Sequence, residues 1–288
     1  MDHRIWGRKT GHLDQRYASA DERRAWHWFV TPSPLKRRGG RVWFTATATR
    51  LLTDETGRVT AAIVAYQGRE RRIQVRRGVV LAGGGFSAST RWRREFLPEP
   101  TPQYTRASEG STGDTLCLGT DVGGALSAPQ DDNAFWFPSS IGRRKDGSTA
   151  VFPHIWDRSK PGIVAVGADG RRFVDESVSY HRFVRAMYAS GTVPAWLIID
   201  SRALHRYGLG LIRPKLPQAY LRKYLQSGYL HRAPSIGELA VSIGVDAAGL
   251  ARTVADHHRF AATGVDDEFG KGTSPFGRQY GDPEHTPN

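Results

Sequence analysis

The run Gly78-Val79-Val80-Leu81-Ala82-Gly83-Gly84-Gly85 constrains the fold more than any other stretch of this chain. Four apolar residues follow one another with no polar alternation, which predicts a short strand covered on both faces, as in a parallel sheet flanked by helices. The three glycines that end it carry no Cβ, so the main chain there can pass close to a flat or charged ligand. Taken alone, an ordinary strand-to-loop turn explains the triplet as well. The neighbouring segments decide between the two.

Upstream, Arg41–Ala48 is rich in β-branched and aromatic residues and predicts a strand, continued by Leu51–Asp54 to a turn at Glu55–Arg58. Val59–Tyr66 and Arg71–Val75 predict two more strands, giving a meander. Downstream, Thr115–Val122 reads as a short helix stopped by Gly123-Gly124, and Phe135-Trp136-Phe137-Pro138 as a boundary. Gly162–Val166 and Arg172–Val174, on either side of Gly167-Ala168-Asp169-Gly170, predict a hairpin, and Ala195–Asp200 a further strand. In the last third, Ser235 with Glu238 three residues on has the spacing of a capping box. Asp246 is placed to cap a second helix with Leu250, Val254, His257 and Ala261 on one face. The sum is an α+β (mixed α/β) chain. The expected organisation is an uninterpreted basic segment over 1–40, a partial Rossmann-like nucleotide-binding domain over 41–136 and a substrate-binding cap domain over 137–288.

The 288 residues carry 41 Lys and Arg against 28 Asp and Glu, a formal charge of +13. Such an excess suits a nucleic-acid binder or an anionic cofactor. The cations are scattered, and no helix-turn-helix, zinc-finger or RNA-recognition pattern accompanies them, so no nucleic-acid partner is expected. No apolar run reaches the roughly 18 residues of a membrane span. The single cysteine, Cys117, excludes an intrachain disulfide framework and a multi-cysteine metal site, and fits a reducing, cytoplasmic setting. His257-His258 point to different helix faces and do not make a metal pair, so no metal is expected.

Three segments occur in a telling order: Ala82-Gly83-Gly84-Gly85-Phe86, then Ser111-Thr112-Gly113-Asp114, then Gly170-Arg171-Arg172-Phe173-Val174-Asp175-Glu176. In that order they resemble the FAD-dependent oxidoreductases that include fumarate reductase flavoproteins and 3-ketosteroid dehydrogenases. The resemblance runs from about Arg41 to the end and takes in Gly264–Gly270. It implies FAD as cofactor, with Ala48 near the adenine, Ala82, Gly83, Gly84 and Gly85 in the loop along FAD, and Asp114 in the flavin-contacting turn. Thr115 stands where the family usually has a second glycine. A helix N-cap explains Asp114 equally well.

Four residues after Glu176 stands Tyr180. The resemblance places a proton-delivering Arg there in fumarate reductases and a tyrosine in the ketosteroid branch. It therefore implies a small apolar, steroid-like ketone as substrate, with hydride passing to flavin N5 and Tyr180 as the acid–base residue. Ionising a phenol at pH 7 costs about 4 kcal/mol unless neighbours help, and Arg171, Arg172, His181 and Arg182 are the nearby candidates in sequence. Without the resemblance, Tyr180 reads as a packing residue. The aromatic group Phe135, Trp136, Phe137, Phe152 and Trp156 suits either a pocket lining or a core.

The G-x-G-x-x-G fingerprint that seats the FAD pyrophosphate at a helix N-terminus is not found in the sequence. The resemblance thus implies an internal section of a longer flavoprotein. Three alternatives stay open: an inactive fragment unable to hold FAD alone, one half of a split enzyme completed by a chain carrying the fingerprint, and a basic nucleic-acid-binding protein.

Overall fold

The computed structural model describes residues 39–285 apart from 129, 131 and 145. The expectations for residues 1–38 lie outside the described residues. By packing, the chain divides into two compact units. One takes the residues up to Ala82 together with Thr115–Leu126, and the other Gly83–Asp114 together with the residues from Ser127 onward. The boundary expected at 136/137 from the cofactor-versus-cap reading falls inside the second unit.

The first unit holds the expected meander. β1 (Ala46–Thr53), β2 (Val59–Tyr66) and β3 (Arg69–Gln74) form an antiparallel sheet in sequence order. β1 begins five residues later than the Arg41 expected for it. Asp54 holds the first turn by accepting from the N–H groups of Thr56 and Arg58 at 3.0 and 3.1 Å. Ala61, Ile63 and Val64 of β2 are buried, whereas β3 is exposed along its whole length. Its cations therefore face water.

The run 78–82 is not a strand. It has no ladder partner among the described residues, and Val80 is 90% exposed. Apolar patterning sets a preference for pairing, but a strand exists only where another strand meets its N–H and C=O groups. α2 (Asp114–Thr120) follows expectation, with Cys117 half-buried in it.

The second unit is built on β6 (Ile163–Val166) and β7 (Trp196–Ile199), paired antiparallel. Val164, Val166 and Ile198 pack with Ala240 and Ile243 of α6 (Ile236–Ile243) and Leu250 of α7 (Ala247–Thr263). Both helices start where the sequence places them: Ser235 accepts from Glu238 N–H at 3.2 Å and Asp246 from Gly249 N–H at 2.6 Å. The expected hairpin is reduced to one bridge, Val166 with Arg172, and the partner of β6 is β7 instead. The chain leaves the ladder at Arg172 because that guanidinium turns inward, to Glu176 and Asp266 at 2.8–3.0 Å. The Asp169-Gly170 turn lies against the start of α7, where Thr253 Oγ1 donates to Gly170 O at 2.7 Å. β4 (Ser139–Arg143) and β5 (Thr149–Pro153) form a separate hairpin. α1 (Thr90–Phe96), α3 (Tyr180–Ala189), α4 (Ser201–Tyr207), α5 (Arg222–Gln226) and α8 (Pro275–Tyr280) complete the unit.

Candidate functional site

Two of the sequence-predicted segments are joined in the second unit. Gly113 N–H donates to Gly85 O at 3.1 Å, and Ala88 N–H to Ser111 O at 2.8 Å, which holds the glycine bend against the Thr112-Gly113-Asp114 turn. Gly113 has φ +86°, and a Cβ there would stand 2.5 Å from the Trp92 ring, so the turn requires glycine. The bend itself is exposed. A Cβ built on Gly85 would meet nothing within 4 Å, and one on Gly84, at φ +91°, only Ser111 Oγ at 3.7 Å. The space beside this main chain is open, which suits the flat face of a flavin nucleotide. Asp114 is the first residue of α2, exposed, and its carboxylate accepts from Thr112 Oγ1 at 2.7 Å. Ala82 directly precedes the bend and is also exposed. Ala48 belongs to the other unit, exposed on β1 beside a register shift at Ala48/Arg50.

A groove of about 2460 Å³ runs through the second unit. Its lining includes Gly85 and Phe86 from the bend and, farther along, Phe135, Trp136 and Phe137. Those three aromatics are thus groove residues. Phe152 instead sets its edge to His154, and Trp156 stacks on Tyr280.

Tyr180 opens α3 and is half-buried, stacked on Phe137 with ring centroids 4.3 Å apart and planes at 13°. The ring it lies against faces the groove, but Tyr180 is not itself among the lining residues. The loop leading to it is held by Arg158, which is fully buried. That guanidinium donates to the carbonyls of His154, Ile155, Glu176 and Val178 and lies 4.5 Å over the Phe183 ring. Burial draws its pKa down to about 10 against the pull of Asp157, Glu176 and Asp175.

The cations named in the sequence as helpers for a phenolate are engaged elsewhere or exposed. Arg172 is committed to Glu176, Asp266 and Glu268. His181 accepts from Trp136 N–H through Nδ1 and lies 3.3 Å from Asp132 through Nε2. Two of the three carboxylates on Arg172 are held in the ionised form, whereas burial pushes Glu268 up. Burial pushes Glu176 up, but Lys271 and Arg172 outweigh it and hold the carboxyl below its usual range. Asp266 is likewise raised by burial and lowered further by Arg172, to about 2.

Sequence reasoning missed a second polar set, of which Tyr229, Ser140 and His154 line the groove and Asp157 does not. Tyr229 Oη lies 2.6 Å from Ser140 Oγ, Ser140 Oγ 2.8 Å from His154 Nε2, and His154 Nδ1 2.6 Å from Asp157 Oδ2. The His154–Asp157 spacing was a weak local signal. Ser140 and Tyr229, 89 residues apart, gave none.

A family model described as FAD binding domain matches residues 29–288. The chain belongs to this FAD-binding family. Its relatives are flavoenzymes. It is 34% identical over 257 residues to the 4-oxocyclohex-2-ene-1-carboxylate 5-dehydrogenase of Sinomonas cyclohexanicum, covering 87% of this chain and 43% of that protein. It is 32% identical over 228 residues to the 3-oxosteroid 1-dehydrogenase of Mycobacterium tuberculosis, covering 75% and 38%. Among solved structures, the 3-ketosteroid Δ1-dehydrogenase of Sterolibacterium denitrificans, in complex with 1,4-androstadiene-3,17-dione, matches with TM-score 0.73 and 32% identity, over 88% of this chain and 46% of that one. The chain spans under half the length of each. The family's cofactor is FAD, and the fold matches the flavoenzyme fold. No helix among the described residues is long and apolar enough to cross a membrane.

Proposed function

We propose that this chain is the part of an FAD-dependent dehydrogenase that carries one edge of the flavin site and the substrate groove, and that the reaction desaturates a cyclic ketone beside its carbonyl. The observation that carries this is the hydrogen-bonded pairing of the Gly83–Gly85 bend with the Thr112–Asp114 turn, opening into an apolar groove. Relatives named for a monocyclic oxo-carboxylate and for 3-oxosteroids share a ketone on a ring, and that is the substrate class we assign.

In this reading the main chain of Ala82–Gly85 lies along the flavin nucleotide and Asp114 accepts hydrogen bonds from it. FAD, when bound, supplies the hydride acceptor at N5. Tyr180 takes the α-proton, Phe137 fixes the plane of its ring, and Arg158 fixes the loop that presents it. Phe135, Trp136 and Phe137 bury the apolar rings of the substrate and keep water from the reacting carbons. Residues 41–136 contribute mainly to the cofactor side and 137–288 to the substrate side, with Phe135 and Trp136, next to that boundary, on the substrate groove.

The test is turnover. The protein, supplied with FAD, an artificial electron acceptor and a 3-oxosteroid or 4-oxocyclohexanecarboxylate, is expected to form the conjugated enone, detected by its ultraviolet absorbance. Flavin binding without any enone from either ketone class counts against the reaction. Absence of flavin binding counts against the cofactor site itself.

A further inference from the structure

Charge on the groove is one-sided. Among the described residues that line it are seven arginines and a single carboxylate, Asp200. That carboxylate is engaged by its own helix, accepting from Ala203 N–H at 2.7 Å at the start of α4. A cation in a concave, partly apolar site is offset by a neighbouring carboxylate, by water or by a ligand, and the seven sort accordingly. Arg206 meets Asp282 and Glu284 at 2.7 and 3.4 Å. Arg158 is buried among carbonyls, with Asp157, Glu176 and Asp175 close enough to favour its charge. Arg93 is also buried, and it donates to the carbonyls of Ser87, Pro102, Gln103 and Tyr104. Carbonyls satisfy its N–H groups but cancel no net charge, and no carboxylate among the described residues pairs with it. Arg106, Arg202, Arg213 and Arg232 make no ion pair or side-chain hydrogen bond with any described residue, and all four are exposed.

Any one of these would be an ordinary surface cation. Four of them in the concavity that also holds Phe135, Trp136 and Phe137 give an apolar groove a net positive field. Arg213 and Arg232 have the firmest mounting. Leu211 N–H donates to Tyr229 Oη at 2.9 Å, and Tyr224 Oη donates to Leu211 O at 2.9 Å. The His231 ring stands edge-on to Trp196 of β7 at 5.3 Å. These contacts tie the segment carrying Arg213 to the segment carrying Arg232, and the latter to β7. Gly210 allows the approach, since a Cβ at that position would overlap Tyr229 Oη.

We infer that the ligand of this groove is an anion: a ring ketone that carries a carboxylate, received by Arg213 and Arg232. A guanidinium meets a carboxylate through two parallel N–H donors, so arginine suits the task better than lysine. The inference rests on the ring-ketone reading above and narrows it. A neutral 3-oxosteroid leaves the four arginines without a counter-charge. An oxo-carboxylate sets its ring against the aromatics and its charge against the guanidinium groups. Under the same reading Arg93 and Arg106, which follow the glycine bend in sequence, serve the cofactor's phosphates. Arg213 and Arg232 come from the residues assigned to the substrate.

The experiment is an NMR titration of the full chain with 4-oxocyclohexanecarboxylate and with 4-oxocyclohexanecarboxamide, which has the same ring and ketone but no charge. The acid is expected to bind at least about tenfold more tightly at low salt, and to lose most of that advantage at about 0.5 M salt. Arg213→Gln combined with Arg232→Gln is expected to remove the preference, and lysine at both positions to keep part of it. Equal affinity of the wild type for acid and amide, or an unchanged preference in the folded double glutamine variant, would overturn the inference. ADP, a probe for the cofactor's phosphates, is expected to bind the double variant as it binds the wild type. Loss of ADP binding with the acid preference intact would assign the pair to the cofactor instead. Cyclohexanecarboxylate, which has no ketone, separates this inference from the reading it rests on. Its binding through Arg213 and Arg232, with no enone from any ketone, removes the dehydrogenase reading and leaves the anion site. Equal enone formation from the acid and the amide keeps the dehydrogenase and removes the anion site.

Discussion

Single residues decide whether the candidate site exists at all. Gly113 sits between the Trp92 ring and Phe86 with a left-handed backbone, and it carries the hydrogen bond to Gly85. Gly113→Ala adds both strain and overlap, so a loss of stability on the order of 1–3 kcal/mol is expected in thermal unfolding. Tyr180→Phe keeps the stack on Phe137 and removes only the oxygen. If that phenol handles the proton, enone formation falls by about a hundredfold or more while the melting temperature hardly moves. An unchanged rate assigns Tyr180 to packing. The Gly113-Asp114 turn was legible in the sequence because a turn is set by neighbours one to three positions away; its pairing with Gly85 was not. Ser140 and Tyr229 were not, because their meaning depends on a meeting across 89 residues.

At the scale of elements, local chemistry was read well and pairing was read poorly. Ser235 and Asp246 cap the helices expected of them, since a cap is satisfied by N–H groups two or three residues on. Ser235→Ala is accordingly expected to cost about 1 kcal/mol in chemical denaturation. The meander also follows its turns. The two errors concern which strand meets which. Residues 78–82 have the composition of a buried strand but no partner among the described residues, and Ile163–Val166 pairs with Trp196–Ile199 across an intervening helix rather than with the adjacent segment. Composition says that a strand wants a neighbour; it does not say which. The second error has a residue-level cause, since the buried Arg172 leaves the ladder to meet Glu176 and Asp266.

Across the second unit, buried charge makes stability depend on pH in two separate windows. His257 is held at about 4, mainly by burial and by Lys271, against an ordinary 6.5. Between those values the unfolded chain takes up a proton that the folded chain refuses, so stability falls as pH drops from about 6.5 to 4. Asp266 is held at about 2 against an ordinary 3.8, and its contribution is present above 3.8 and lost as pH falls toward 2. Thermal unfolding across this range is expected to show both slopes, with His257→Gln flattening the upper one alone. A variant that keeps the upper slope assigns it to another group.

The account as a whole stands on the glycine bend being a flavin contact. Titration of FAD into the protein, followed by quenching of flavin fluorescence, tests that directly when Gly85→Val, where a Cβ meets nothing within 4 Å, is run beside the wild type. The predicted result is saturable quenching by the wild type and at least tenfold weaker binding by the variant, with its circular dichroism unchanged. Equal binding by a folded Gly85→Val protein, or no quenching by the wild type, would contradict it.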